Sequence, residues 1–253
     1  MTTTPVFNPW VKCSRPNSQA NLRLFCFPYA GGGTWSFRDW SDNLPQTIEV
    51  CSIELPGRGT QMKSSPFTQL QPLVGAIADG IYPYLDKPFA FFGHSMGGLV
   101  SFEVARLLRK NYGIVPVHLL TSGRRAPQLK PTKPSIHNLP KPDFIKELKA
   151  LNGTPSEVLN NQELMDLMLP ILRADFAVLE TYNYTEEKSF SCPISVFGGL
   201  QDPEVTHEEL EAWRKQTSSK FLLHMFEGDH FFIHSTQPML LKLVSQQLFN
   251  FIN

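Results

Sequence analysis

The sequence predicts an α/β fold, with a mostly parallel sheet and helices on both faces. Three observations lead there. From residue 22 onwards, short apolar runs alternate with stretches of helical apolar spacing. Turn clusters rich in Gly or Pro close the first two runs, Tyr29-Ala30-Gly31-Gly32-Gly33 and Leu55-Pro56-Gly57-Arg58-Gly59. Between a third run and a helical pattern stands Gly93-His94-Ser95-Met96-Gly97. A Ser at the centre of a tight strand-to-helix turn is held off the sheet edge in a strained backbone conformation, and flanking glycines leave room for the turn.

The elements follow in chain order. Strands are expected at 22–27, 48–54, 89–92, 115–120, 194–197 and 221–226. Helices are expected at 70–85, at 98–109 with Gly113 closing it, and at 207–216. The 207–216 helix has Thr206 as N-cap and Glu209 as its capping-box partner. A last helix at 237–251 places Leu240, Leu241, Val244, Leu248 and Phe251 on one face. Residues 126–184 carry no strand signal. Five prolines from Pro127 to Pro142 open this stretch, and helical patterns follow at 143–151 and 163–182, the second interrupted by Pro170. The reading is one domain over 1–253 with an insertion at about 127–184 that forms a helical lid over the Ser95 pocket. The alternative is a helical excursion packed against the side of the sheet. Leu164, Leu167, Met168, Ile171, Leu172, Phe176 and Leu179 suit either a lid core or the lining of an apolar pocket.

At 253 residues the chain is long enough for a sizeable core. A formal net charge of zero argues against a nucleic-acid binder that works through bulk positive charge. The four cysteines, Cys13, Cys26, Cys51 and Cys192, show neither C-x-x-C pairing nor zinc-ligand spacing, so no metal is expected. Cys26, Cys51 and Cys192 lie in or beside apolar runs and read as small buried hydrophobes in a reducing, cytoplasmic compartment. Residues 1–21, with Pro5, Pro9 and Pro16, lack the pattern of a signal peptide, and no apolar run approaches a membrane span. A monomer is the default expectation.

A Ser hydroxyl needs a base within hydrogen-bond reach, and the base needs an orienting acceptor. A Ser in a strand–turn–helix setting of this kind is followed along the chain by an acid and then a His. Ser95, Asp202 and His230 occur in that order, Asp202 and His230 each just past a strand end. Glu204 and Asp175 compete as acids, and Asp229 adjoins the His too closely to face its ring. His234, one helical turn beyond His230, is the serious rival base. His94 flanks the nucleophile, His118 and His224 lie in strands, His137 in the Pro-rich entry, and His207 starts a helix. The backbone N–H groups of Met96 and Ala30 are the expected oxyanion donors, with Tyr29 and Gly31 next to Ala30 as alternatives. Tyr29, Met168 and Phe176 are the substrate-pocket candidates.

The chain resembles the type II thioesterases, stand-alone enzymes that accompany nonribosomal peptide and polyketide synthases. The resemblance runs from about Trp10 to the C-terminus. It is carried by Phe25-Cys26-Phe27-Pro28-Tyr29-Ala30-Gly31-Gly32, Leu55-Pro56-Gly57-Arg58-Gly59, Gly93-His94-Ser95-Met96-Gly97, Ser122-Gly123-Arg124-Arg125-Ala126-Pro127, Asp202-Pro203 and Gly228-Asp229-His230. It implies an α/β-hydrolase fold, the Ser95–His230–Asp202 triad, and an oxyanion hole from Ala30 and Met96. It also implies hydrolysis of acyl thioesters on the phosphopantetheine arm of acyl or peptidyl carrier proteins, with no cofactor beyond that arm. Arg124, Arg125, Lys130, Lys133, Lys141 and Lys146 could meet an acidic carrier surface. Gln61 departs from the basic residue expected after the Leu-Pro-Gly-Arg-Gly turn. The alternatives are a medium-chain fatty-acyl thioesterase, a carboxylesterase of the same fold, and a non-catalytic protein that holds acyl carriers.

Overall fold

The computed structural model describes residues 8–151, 153 and 156–251. Residues 1–7, including Pro5 of the polar N-terminal reading, and three positions of the insertion (152, 154 and 155) lie outside the described residues. Seven strands form one sheet: β1 (Val11–Cys13), β2 (Leu22–Phe27), β3 (Ile48–Ile53), β4 (Phe89–His94), β5 (His118–Ser122), β6 (Ile194–Gly199) and β7 (Phe221–Phe226). Their order is β1-β3-β2-β4-β5-β6-β7, with β1 antiparallel to β3 and every other pairing parallel. The helices are α1 (Trp40–Asn43), α2 (Leu70–Ile81), α3 (Met96–Tyr112), α4 (Lys141–Leu151), α5 (Ser156–Leu159), α6 (Gln162–Glu180), α7 (His207–Glu211), α8 (Phe232–Ser235) and α9 (Gln237–Leu248).

The period of two along each strand sorts the core into two layers. Phe25, Phe27 and Phe91 point to one face and pack with Leu73 and Ile77 of α2 and Leu99 and Val104 of α3. Leu24, Cys26 and Phe92 point to the other and pack with Trp40 of α1 and Leu240, Leu241 and Val244 of α9. A sheet covered on both faces explains why these strands read as continuous apolar runs. Between β5 and β6, helices α4 to α6 carry a separate small cluster of Phe144, Leu148, Met165 and Leu172. The Thr206 capping box forms as expected. No helix among the described residues is long and apolar enough to cross a membrane.

The expected helices at 70–85, 207–216 and 237–251 end as α-helix at Ile81, Glu211 and Leu248 and continue as short 3-10 turns, and four further details differ from expectation. β5 begins at His118 rather than residue 115. Pro116 has no N–H to donate, and pairing with β4 and β6 starts beyond it. α6 runs unbroken through Pro170, which lies on the exposed side, where water can take the carbonyl freed one turn earlier. β1 was not foreseen, and it carries the third difference. Its Cys13 lies directly opposite Cys51 of β3, and the two are joined in a disulfide of 2.04 Å. Of the four cysteines only Cys26 and Cys192 remain free, both buried; Cys51, expected as a free buried hydrophobe, is bridged to Cys13, and the cysteines no longer point to a reducing compartment. Finally, Gln61 is buried and structural: its amide donates to the carbonyls of Pro9 at 3.0 Å and Glu54 at 2.6 Å, tying the N-terminal segment to the turn after β3.

Candidate active site

The chain leaves β2 to one side for β3 and then crosses back to β4 on the other side. This reversal opens a crevice at the carboxyl ends of β2 and β4, where open parallel sheets bind ligands. Ala30 follows β2, Ser95 follows β4, Gly123 to Arg125 follow β5, Asp202 follows β6, and His230 follows β7.

Ser95 is the one described non-glycine residue with positive φ (52°, with ψ −112°), a conformation that costs about 1–3 kcal/mol. Two backbone hydrogen bonds hold it there: its N–H donates to the Ser122 carbonyl at 2.7 Å, and its carbonyl accepts the Gly98 N–H at 3.0 Å. The flanking glycines have no alternative. A Cβ on Gly93 would lie 2.1 Å from the Gly97 carbonyl oxygen, and one on Gly97 would lie 2.0 Å from that of Phe27. Pressed this tightly between strand and helix, the turn projects its hydroxyl into a cavity of about 510 Å³ that Tyr29, Ala30 and His230 also line. The hydroxyl makes no hydrogen bond to a described residue, and such bonds often tighten only when substrate arrives.

His230 and Asp202, 28 residues apart, meet with Nδ1 and Oδ2 separated by 2.8 Å. Asp202 Oδ1 accepts the Glu204 N–H at 2.7 Å, so both carboxylate oxygens are committed and the side chain is fixed. With its Nδ1 on a carboxylate, the His230 ring presents Nε2 as the free acceptor. The competing residues are engaged elsewhere. Glu204 pairs with Lys133 and Asp175 with Arg58, while Asp229 Oδ1 accepts the Phe231 N–H. His234 Nε2 faces the Tyr29 hydroxyl at 3.1 Å. His94, fully buried, holds its Nδ1 3.0 Å from Ser122 Oγ, with its ring centroid 5.1 Å from that of His230. Burial first, and then the neighbouring His230 and His234, push its pKa well below the usual imidazole value. It therefore adds no second positive charge beside His230.

The N–H groups of Ala30 and Met96 have no hydrogen-bond partner among the described residues, although Met96 is fully buried and opens α3. An unpaired buried donor at a helix N-terminus is a place for an incoming acceptor. Of the pocket candidates, Tyr29 and Phe176 line the cavity and Met168 does not. Met168, Leu172 and Phe176 share one face of α6, but Met168 lies a turn beyond the cavity and joins the cluster around Phe144 and Met165. Leu164 and Leu167 face outward and are exposed. The charges of the insertion entry are largely spoken for: Lys133 binds Glu204, Lys141 binds Asp166, and Arg124 and Arg125 line the cavity, which leaves Lys130 and Lys146 exposed. Arg124 has a buried Nε without a partner; burial, then the nearby Arg125, pull its pKa to about 10.

Cys13, Glu49 and Cys51 are the one grouping of possible metal ligands among the described residues. Its sulfurs are joined to each other and Glu49 is bound to Arg23 at 2.7 Å, so the donors are already occupied. Sequence reasoning missed Ser122, whose carbonyl fixes the Ser95 backbone, and the Arg58–Asp175 pair beside Ala30. Ser122 and Arg58 stand in motifs that carry the resemblance and Asp175 among the competing acids, but nothing local assigns them these contacts.

Comparison with known proteins shows what the chain as a whole is similar to. The thioesterase-domain family model matches residues 22–248. The gramicidin S biosynthesis protein GrsT of Aneurinibacillus migulanus is 48% identical over 248 residues, covering 98% of this chain and 97% of the relative. The thioesterase PikA5 of Streptomyces venezuelae is 33% identical, covering 94% and 85%. Among solved structures, the type II thioesterase BorB from the borrelidin biosynthetic cluster superposes with a TM-score of 0.88 at 31% identity, covering 97% of this chain and all of that one.

Proposed function

Because the chain belongs to the thioesterase family, among the type II enzymes of nonribosomal peptide and polyketide pathways, we propose that Ser95 is its nucleophile, His230 its general base and Asp202 the acid that orients the base. The observation that carries this reading is the 2.8 Å contact between His230 Nδ1 and Asp202 Oδ2 at the cavity that Ser95 enters.

Ser95 Oγ attacks the thioester carbonyl as His230 Nε2 takes its proton, and Asp202 stabilises the resulting imidazolium. The N–H groups of Ala30 and Met96 receive the negative charge of the tetrahedral intermediate. Collapse expels the thiol, with His230 returning the proton to sulfur. Water, deprotonated by the same ring, then attacks the acyl-enzyme; the acyl–Oγ bond breaks, the acid leaves and the ring returns the proton to Ser95. A thioester has less resonance stabilisation than an oxygen ester and a better leaving group, so both steps are within reach of this apparatus.

The substrate is an acyl group on the phosphopantetheine arm of an acyl or peptidyl carrier protein, and the hydrolysis clears stalled or misprimed synthases. The arm is the one group the substrate itself brings. Leu139, Leu148, Leu172 and Phe176 give the cavity an apolar wall for the acyl chain, with α4 to α6 serving as its lid within one domain. The exposed Lys130 and Lys146 are the charges left for an acidic carrier. Every proposed catalytic group comes from one chain, which fits a monomer acting beside its synthase.

The test compares wild type with Ser95→Ala, Asp202→Asn and His230→Ala on acyl groups of graded length loaded on a carrier protein. Each variant is expected to lose about 1,000-fold or more in kcat/KM, and a fluorophosphonate is expected to label wild type but not Ser95→Ala. A His230→Ala protein within tenfold of wild type rejects the assignment. A profile confined to medium-chain fatty acyl groups assigns the enzyme to fatty-acid release instead.

A further inference from the structure

Three separate segments converge beside the proposed oxyanion site. Asp175, 4% exposed on the inner side of α6, accepts the Gly31 N–H through Oδ2 at 2.8 Å. The same carboxylate is gripped by both terminal nitrogens of Arg58, Nη1 to Oδ2 at 2.8 Å and Nη2 to Oδ1 at 2.7 Å. Arg58 belongs to the turn after β3, and its Nη1 also donates to the Gly32 carbonyl at 2.8 Å. The Tyr29 carbonyl, in the same peptide unit as the Ala30 N–H, accepts the Gly32 N–H at 2.9 Å. These bonds fix three peptide planes of the loop after β2. The Tyr29–Ala30 unit is set by Gly32, the Ala30–Gly31 unit by Asp175, and the Gly32–Gly33 unit by Arg58. Gly31 has φ +75°, and a Cβ there would lie 2.6 Å from Leu172 of α6, so helix and loop are in close contact.

The arrangement has an electrostatic side. A carboxylate bound to the N–H of Gly31, the neighbour of Ala30, opposes negative charge building on the substrate oxygen, and in a water-poor site that opposition is strong. A bidentate guanidinium cancels it with the best geometry a side chain offers. We infer that Arg58 and Asp175 are a positioning pair: they hold the Ala30 N–H at the angle the oxyanion needs, and Arg58 neutralises the carboxylate required for that hold. The inference rests on the reading of Ala30 as an oxyanion donor in a Ser95 hydrolase.

The two roles predict an unequal response to mutation. Asp175→Asn keeps an oxygen for the Gly31 N–H and leaves a positive charge nearby, so kcat stays within about tenfold. Arg58→Met strips the counter-charge and leaves the carboxylate, so kcat falls by about 100-fold, near the effect of losing one oxyanion donor, while KM changes little. The double variant Arg58→Met/Asp175→Asn removes the offending charge and recovers at least tenfold in kcat over Arg58→Met. A purely structural ion pair gives a different pattern: the double variant regains thermal stability, but kcat per folded enzyme stays near wild type in every variant.

The experiment measures kcat and KM for these chains on a small acyl thioester, with thermal unfolding in parallel. Recovery of kcat in the double variant supports the pair. A kcat for Arg58→Met equal to wild type, or a double variant as slow as Arg58→Met, overturns it. If Arg58→Met does not fold, Asp175→Ala against Asp175→Asn decides: Ala removes the acceptor for Gly31 and is expected to lose about 100-fold in kcat, Asn is not, and equal kcat values overturn the pair. Ser95→Ala is run alongside. Wild-type turnover that survives this substitution refutes the hydrolase reading itself, whereas turnover abolished by it, with Arg58 variants unaffected, refutes the positioning pair alone.

Discussion

Acid stability offers a prediction whose size follows from one buried side chain. His118 opens β5, is 2% exposed, and places Nε2 2.9 Å from Ser195 Oγ on β6. Burial, with a further push from Lys220, lowers its pKa to about 4. In the unfolded chain the ring titrates at about 6.5. Between those values the unfolded chain binds a proton that the folded chain refuses, so stability falls as pH falls through this window. The contribution is fully present above about pH 7 and lost below about pH 4. The linkage relation gives about 2 kcal/mol lost between about pH 7.5 and about pH 5. His118→Gln keeps an amide that can reach Ser195 and removes the titration. Urea unfolding of both proteins at both pH values isolates the residue, because other groups, His94 among them, act alike in the two chains. The variant is expected to lose about 2 kcal/mol less than wild type on acidification. Equal losses, within about 0.5 kcal/mol, refute the reasoning. The outcome bears on enzymology. β5 ends at Ser122, which anchors the Ser95 backbone, so an acid-side decline in activity contains unfolding as well as protonation of the base.

Three further outcomes are expected. Gly97→Ala drives a Cβ to 2.0 Å from the Phe27 carbonyl and is expected to destabilise the fold by at least about 1–3 kcal/mol and abolish turnover, whereas Gly75→Ala in α2, with nothing within 4 Å, is expected to gain about 0.4–1 kcal/mol; denaturation midpoints check both, and a Gly97→Ala enzyme with normal stability and kcat contradicts the tight-turn geometry. Phe176→Ala enlarges the apolar wall and is expected to raise the kcat/KM ratio of long over short acyl thioesters by about tenfold, and an unchanged ratio removes Phe176 from the acyl site.

What could be read from the chain, and what could not, divides by range. The Ser95 turn is a local object: its glycines, the run before it and the helix after it are contiguous, and the steric reasons for each act within a few residues. Asp202 and His230 were legible because parallel strands deliver their following loops to one edge, so order along the chain stands in for proximity. β1 and the Cys13–Cys51 bond had no such support. A three-residue antiparallel edge strand has almost no periodic signal, and its partner lies 38 residues away. Arg58 and Asp175 are 117 residues apart, and their meeting depends on how α6 crosses the sheet edge. Met168 was misplaced for a related reason: helical spacing identified its face correctly but not how far along α6 the cavity extends. Pro170 misled because its cost depends on which side of the helix it occupies.

The helices between β5 and β6 possess a nucleus of their own, distinct from the two layers that flank the sheet. Such a segment can be grafted as a unit, since a replacement arrives with its own interior already complementary. A transplant from a relative with different acyl taste should therefore transfer selectivity while leaving bond-breaking power intact. The junction that any such graft must respect includes the Arg58–Asp175 salt link and the Asp175 bond to Gly31, where the exchanged piece reaches into the machinery of the host.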